Sequence, residues 1–272
     1  MESLRFSLVV ASGRLIWNME TIYTSIQSRA RQIVSQFPTP DFYKEEEAAI
    51  SLSFELMENS EHISNLKTMV ADHLEDDFGH GLQHAVKVSL EAGSLVLIEG
   101  QDMSLSKQTI TRHVLLVQCA GLLHDIRRKK KNHAIKGAEF TEKLLRDFPL
   151  SSKEIADICL AIQNHEAFKN KIEIDSSEGK LISDCLYDAD KFRWGPDNFS
   201  HTLWEMVSFF NPPLKTFMAR YPKGMQGLEK IKHTFRTQTG RKYGPQFIDI
   251  GLSIGEELYR VIQKEFIQSQ EG

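Results

Sequence analysis

The residues best suited to chemistry close one short stretch, Val114–Asp125, which reads VLLVQCAGLLHD and ends in an adjacent histidine and carboxylate, His124 and Asp125. Apart from Gln118, the ten residues before that pair are apolar or small, so a helix here is apolar nearly all round and must be buried. An unpaired carboxylate at the end of such a helix costs several kcal/mol, on the order of the effective burial penalty of an ion. Asp125 therefore needs a cation or strong donors beside it, and a metal ion is the simplest candidate.

Other imidazoles and carboxylates in the chain offer the remaining ligands. His80 and His84 are four residues apart and share a face if they lie on one helix. The segment LISDCLYDADKF brings Asp184, Asp188 and Asp190; the last two are only two residues apart and so point to different sides. His84, His124, Asp125 and Asp190 form a mixed imidazole and carboxylate set from three separate helices. Adjacent residues on a helix diverge by about 100°, so His124 and Asp125 share an ion only if it sits between their directions, with other helices completing its shell. Such a set suits an open site for Mn, Fe, Co, Ni, Zn or Mg rather than a closed cysteine zinc. A zinc protease is disfavoured, because HEAFK has Lys169 where HExxH needs its second histidine.

The elements that must position these groups read as helices throughout. Helical spacing recurs from end to end while alternating β-branched runs are few, so the expected class is all-α. A helix is expected over residues 14–36, then one capped by Thr39 with Pro40 in its first turn and Asp41, Glu45, Glu46 and Glu47 at its positive end. Another starts near Gly81. Ser151 and Glu154 make a capping box that opens a helix ending close to His165. Pro212 and Pro213 break the chain, and a last helix is expected from Pro245 to Phe266, with Arg241 and Lys242 in the glycine-flanked turn TGRKYG before it. With no internal repeat or low-complexity linker, the expected organisation is an N-terminal helical extension (1–70) and one functional domain (71–272).

Composition narrows the function classes. At 272 residues, 41% hydrophobic and 26% charged, the chain has an ordinary globular make-up. A net charge of −4 argues against a surface built around nucleic acid. The widely spaced Cys119, Cys159 and Cys185 fit reduced thiols in a cytoplasmic protein, with no disulfide framework. Neither a signal peptide nor a membrane span is expected from MESLRFSLVVASGRLIW, since Glu2 precedes the brief apolar run and Arg14 interrupts it. The five consecutive cations Arg127–Lys131 read either as charges favoured by a helix C-terminus or as a phosphate-attracting rim beside the metal.

Five segments together resemble the HD-domain superfamily of metal-dependent phosphohydrolases: HGLQHAVKV (80–88), CAGLLHDI (119–126), HAIKGAEF (133–140), IQNHEAF (162–168) and DADKF (188–192). The resemblance implies a compact multi-helix HD-type fold. It implies His84, His124, Asp125 and Asp190 as metal ligands, with one or two divalent ions per chain, and places His133 and His165 where members hold a second ion or shape the phosphate pocket. One departure is that His80 is followed by Gly81, where many members have an aspartate.

The reaction so implied is hydrolysis of a phosphate ester, of a nucleotide or another small phosphorylated molecule, by a water whose pKa the metal lowers from 15.7 towards about 7. Asp125, with His133 and His165, would carry the chemistry, while Lys129, Lys130 and Arg241 are positioned to neutralise phosphate charge. Two alternatives stay open: a di-iron oxygenase using the extra histidines, and a non-catalytic ligand sensor on the same helical frame.

Overall fold

A computed structural model describes residues 19–73 and 81–268, in which every regular element is helical. The helices are α1 (Met19–Val34), α2 (Phe42–Glu45), α3 (Glu47–Glu58), α4 (Glu61–His73), α5 (Leu82–Asp102), α6 (Lys107–Leu123), α7 (His133–Leu144), α8 (Ser152–Gln163), α9 (Ser177–Phe192), α10 (Leu203–Phe210), α11 (Leu214–Ile231) and α12 (Gln238–Val261). The all-α expectation holds. No described helix is long and apolar enough to cross a membrane.

The long pair α5 and α6 forms the centre, with α9 and α3 against α5, and α8 joining α6 to α9. α6 is the helix whose apolar run marked it for burial, and Val114, Val117, Ala120, Leu122 and Leu123 are all fully buried. Ser106 starts α6 by accepting the Thr109 N–H. Gly121 lets α6 approach α5, for a Cβ there would stand 2.6 Å from Ser89 Oγ and 2.7 Å from Ser89 Cα. Ser89 Oγ donates to the Ala85 and Gln118 carbonyls, fixing the two helices lengthwise.

Helix α8 opens on the Ser151–Glu154 capping box read from the sequence. Two expectations need correction. Thr39 and Pro40 lie before α2, whose N-cap position is Asp41; Asp41 is tied instead to Gln246 of α12. The last helix begins at Gln238, seven residues ahead of Pro245, so Arg241 and Lys242 are helical and not in a turn. The reason is tertiary: the buried Asp188 carboxylate accepts from the Arg236 and Thr237 N–H groups and from Thr237 Oγ1, which pins the start of α12 against α9. Thr237 then caps the helix by accepting from Gly240, where a Cβ would run into Asp188. Those contacts fix the helix start well upstream of the proline that sequence reasoning took as its beginning.

Candidate metal centre

The site is assembled at one end of the α5–α6–α9 core, with α7 and the end of α8 closing it. His84 comes from the first turn of α5, His124 and Asp125 follow the last residue of α6, Asp190 lies in the last turn of α9, His133 opens α7, and His165 stands just beyond α8. His124, Asp125 and His165 are buried to within 3% of full burial, and Asp190 is nearly so. His80 lies outside the described residues.

The donor atoms fall into two groups of three. In the first, His84 Nε2 stands 3.3 Å from His124 Nε2 and 3.5 Å from Asp190 Oδ1, and His124 Nε2 is 3.8 Å from that oxygen. In the second, His133 Nε2 and His165 Nε2 are 3.3 Å apart and each lies 3.5 Å from Asp125 Oδ1. The other oxygen of Asp125, Oδ2, is 3.5 Å from His124 Nε2, so this one carboxylate joins the two groups.

Hydrogen bonding shows why these donors fit a cation. His124 Nδ1 lies 2.7 Å from the Gly121 carbonyl and His165 Nδ1 2.6 Å from the Ile162 carbonyl. A carbonyl only accepts, so both Nδ1 atoms carry hydrogen. Burial holds the His124 imidazole down at a pKa of about 3, so the ring is neutral at pH 7 and its Nε2 presents a lone pair. Burial likewise lowers His133 to about 4. Lone pairs and carboxylate oxygens thus converge with few protons between them. Ligand atoms about 2.1 Å from a tetrahedral ion stand about 3.4 Å apart. The observed separations of 3.3–3.8 Å match that spacing, and the residues present therefore fit divalent metal.

Two cations touch the centre that sequence reasoning did not single out. Lys191 Nζ bonds Asp190 Oδ2, the oxygen turned away from the histidines. Burial pushes the Asp190 carboxyl up, but the Lys191 ammonium and the two histidines outweigh it, leaving its pKa well below the usual range. Arg128 NH1 lies 3.4 Å from Asp125 Oδ1 and 3.2 Å from His133 Nε2. The signal for both was position: Lys191 adjoins Asp190, and Arg128 follows Asp125 by three residues. The chain leaves α6 through tight turns, Arg128 N–H to Asp125 C=O among them, and such turns bring residues three apart onto one side. Arg236 also approaches, donating to the Asn164 carbonyl and lying 3.5 Å over the Tyr187 ring, with Lys191 near the same ring.

The cations named from sequence sit differently. Lys129 and Lys130 are exposed. Lys130 lines an outer groove of about 420 Å³ with Arg127, Lys131, Lys136 and Lys143. Arg241 is exposed and bonds the Phe235 carbonyl, and Lys242 bonds Glu45. Asp188, the rival of Asp190, is committed to the start of α12.

Residues 81–193 match the family model of the HD domain. Residues 81–193 form an HD domain. The matched span runs from the cap of α5 to the end of α9 and so contains every donor of both groups. Neither the curated proteins nor the solved structures yield a significant match.

Proposed function

We propose that this HD domain is a metal-dependent phosphohydrolase acting on a nucleotide or another small phosphate ester. One observation carries the reading: six buried or half-buried donor residues converge in two groups joined through Asp125, with the Nε2 atoms of His84 and His124, and of His133 and His165, each 3.3 Å apart. His84, His124, Asp190 and Asp125 Oδ2 would hold one ion, and Asp125 Oδ1, His133 and His165 a second. A bound divalent ion supplies Lewis acidity and a water of lowered pKa.

The protein's own contribution is positional and electrostatic. The Gly121 and Ile162 carbonyls fix the tautomers of His124 and His165, so their Nε2 atoms are aimed before any ligand arrives. Asp125 is held at its two ends by different histidines and is placed to accept a proton from a water at the junction of the groups. Arg236, beside Tyr187, would neutralise a phosphate ahead of Lys129, Lys130 and Arg241, while Lys191 holds Asp190 from behind.

The test is metal analysis of purified protein followed by a screen of nucleotides and phosphomonoesters with Mn, Fe, Co, Ni, Zn and Mg. Metal-dependent phosphate release that vanishes in Asp125→Ala supports the proposal, and a metal-loaded protein that releases no phosphate from any substrate counts against it. The pairing of the two donor groups through Asp125 favours one competing reading, a di-iron oxygenase; iron-dependent oxygen consumption separates the two.

A further inference from the structure

The two donor groups each have a cation beside them, and the two cations are placed differently. At the first group Lys191 bonds Asp190 Oδ2, while Asp190 Oδ1 alone faces His84 and His124. The ammonium thus holds the carboxylate from behind and leaves the inner oxygen open. At the second group Arg128 NH1 reaches Asp125 Oδ1, the same oxygen that His133 and His165 face, and donates to His133 Nε2 as well. Two of the three donor atoms of that group are already engaged by a guanidinium.

We infer that Arg128 is an internal cation for the second donor group, competing with a metal ion for Asp125 Oδ1 and His133 Nε2. The inference rests on the reading of both groups as ion sites. A guanidinium keeps its charge at every physiological pH, so it cannot step aside by losing a proton. It has to move. Its side chain is 31% exposed, in contrast to the 3% of Asp125, and it stands on the turn after α6, so a path outward to solvent exists. Ion binding is then stepwise: the first group fills without displacing a protein charge, and the second fills only as Arg128 swings out. With one ion bound, the chain still presents a second positive charge beside Asp125, supplied by its own side chain.

Its neighbour Arg127 provides the control. Arg127 lies 4.0 Å over the Phe140 ring and lines the outer groove, so removing it subtracts the same charge from the same turn without touching a donor atom.

The experiment is titration of the chelator-stripped full chain with Mn2+ alone, followed by calorimetry and by metal content after gel filtration, for wild type, Arg128→Gln and Arg127→Gln. The expected result is two steps in wild type, a second step at least about tenfold tighter in Arg128→Gln, and a first step unchanged in all three proteins. Arg128→Met, of similar volume, replaces the glutamine variant if that one does not recover the wild-type helical circular dichroism. An unchanged second step in Arg128→Gln overturns the inference while leaving the metal reading intact. So does an equal tightening in Arg127→Gln, which would reduce the effect to net charge. If no protein binds Mn2+ at all, the metal reading fails and this inference with it.

Discussion

The helices α5 and α9 carry two buried polar clusters that behave in opposite ways. Two turns along α5 from His84 stands Glu91, and three residues past Asp190 stands Arg193, both almost completely buried. Arg193 bonds both oxygens of Glu91, the Tyr43 hydroxyl and Asp197, and Lys87 bonds Asp197 from outside. This cluster contains its own cation and ties α2 to the core through Tyr43. At the other cluster the donors outnumber the cations, and the lone pairs of His124 and Asp190 face each other with no hydrogen bond between them. A buried ion cluster whose charges pair directly holds a fold together, whereas one whose imidazole and carboxylate donors face one another across a gap is poised to receive a further cation.

The comparison breaks first at Asp125. Asp125→Ala removes the residue both donor groups share, and the expected outcome is a metal affinity lowered by more than about 100-fold with phosphate release lost alongside it. Helical circular dichroism is expected to stay at the wild-type level. Mass-spectrometric metal content decides: full loading of the variant contradicts the assignment. His124→Ala should behave alike, but His133→Ala and His165→Ala should each retain one ion, because the first group stays whole.

Glu91→Ala tests the closed cluster. It leaves Arg193 buried with only Asp197 and Tyr43, and the expected loss is about 3–5 kcal/mol in urea unfolding at neutral pH. The protein that does fold should bind metal stoichiometrically. Coupled loss of metal affinity at constant folded fraction would mean that the clusters are not separable.

Acid should distinguish them further. In the metal-free protein burial lowers His124 to about 3 and His133 to about 4, against about 6.5 in an unfolded chain. The unfolded state therefore binds more protons between those values. Stability from this source is complete above pH 6.5 and is lost as pH falls, down to about 4 for His133 and about 3 for His124. The expected loss is on the order of a few kcal/mol, mostly from His124 because His133 is partly open to solvent. Urea midpoints at pH 7 and pH 4.5 in chelator measure it; His124→Leu should flatten the slope, and a wild-type midpoint that does not move contradicts the neutral, lone-pair state of the ring.

Local patterns showed much of this in the sequence. The apolar run of α6, the capping box of α8 and the breaking pair Pro212–Pro213 depend on neighbours in sequence, and the structure has all three where they were read. The donors His84, His124, Asp125, His133, His165 and Asp190 do come together, from five helix ends, as the HD resemblance implied. What escaped depends on contacts between distant residues. The start of α12 is set by Asp188, 48 residues before Arg236, and no spacing reveals such a bond. Likewise a run of five cations looks uniform on paper, yet its turns send Arg128 to the donors and Arg127 to Phe140.

That division of the basic run gives the smallest effect. Lys130 and Lys131 are exposed and line the outer groove, with Arg127 between them and the α7 surface. Charges so placed act on a substrate phosphate only through solvent, where interactions beyond a Debye length of about 8 Å are largely screened at physiological salt. The double replacement of Lys130 and Lys131 by Gln should therefore change kcat/KM less than about threefold at physiological salt. A somewhat larger fall is expected at low salt, and more for a triphosphate than for a monophosphate. Lys191→Gln, which removes a cation bonded to Asp190, should cost far more at every salt concentration. If the two surface lysines instead cost tenfold or more at physiological salt while Lys191→Gln costs little, the phosphate approaches from the groove side, and the rim first read in Arg127–Lys131 is the substrate-facing one.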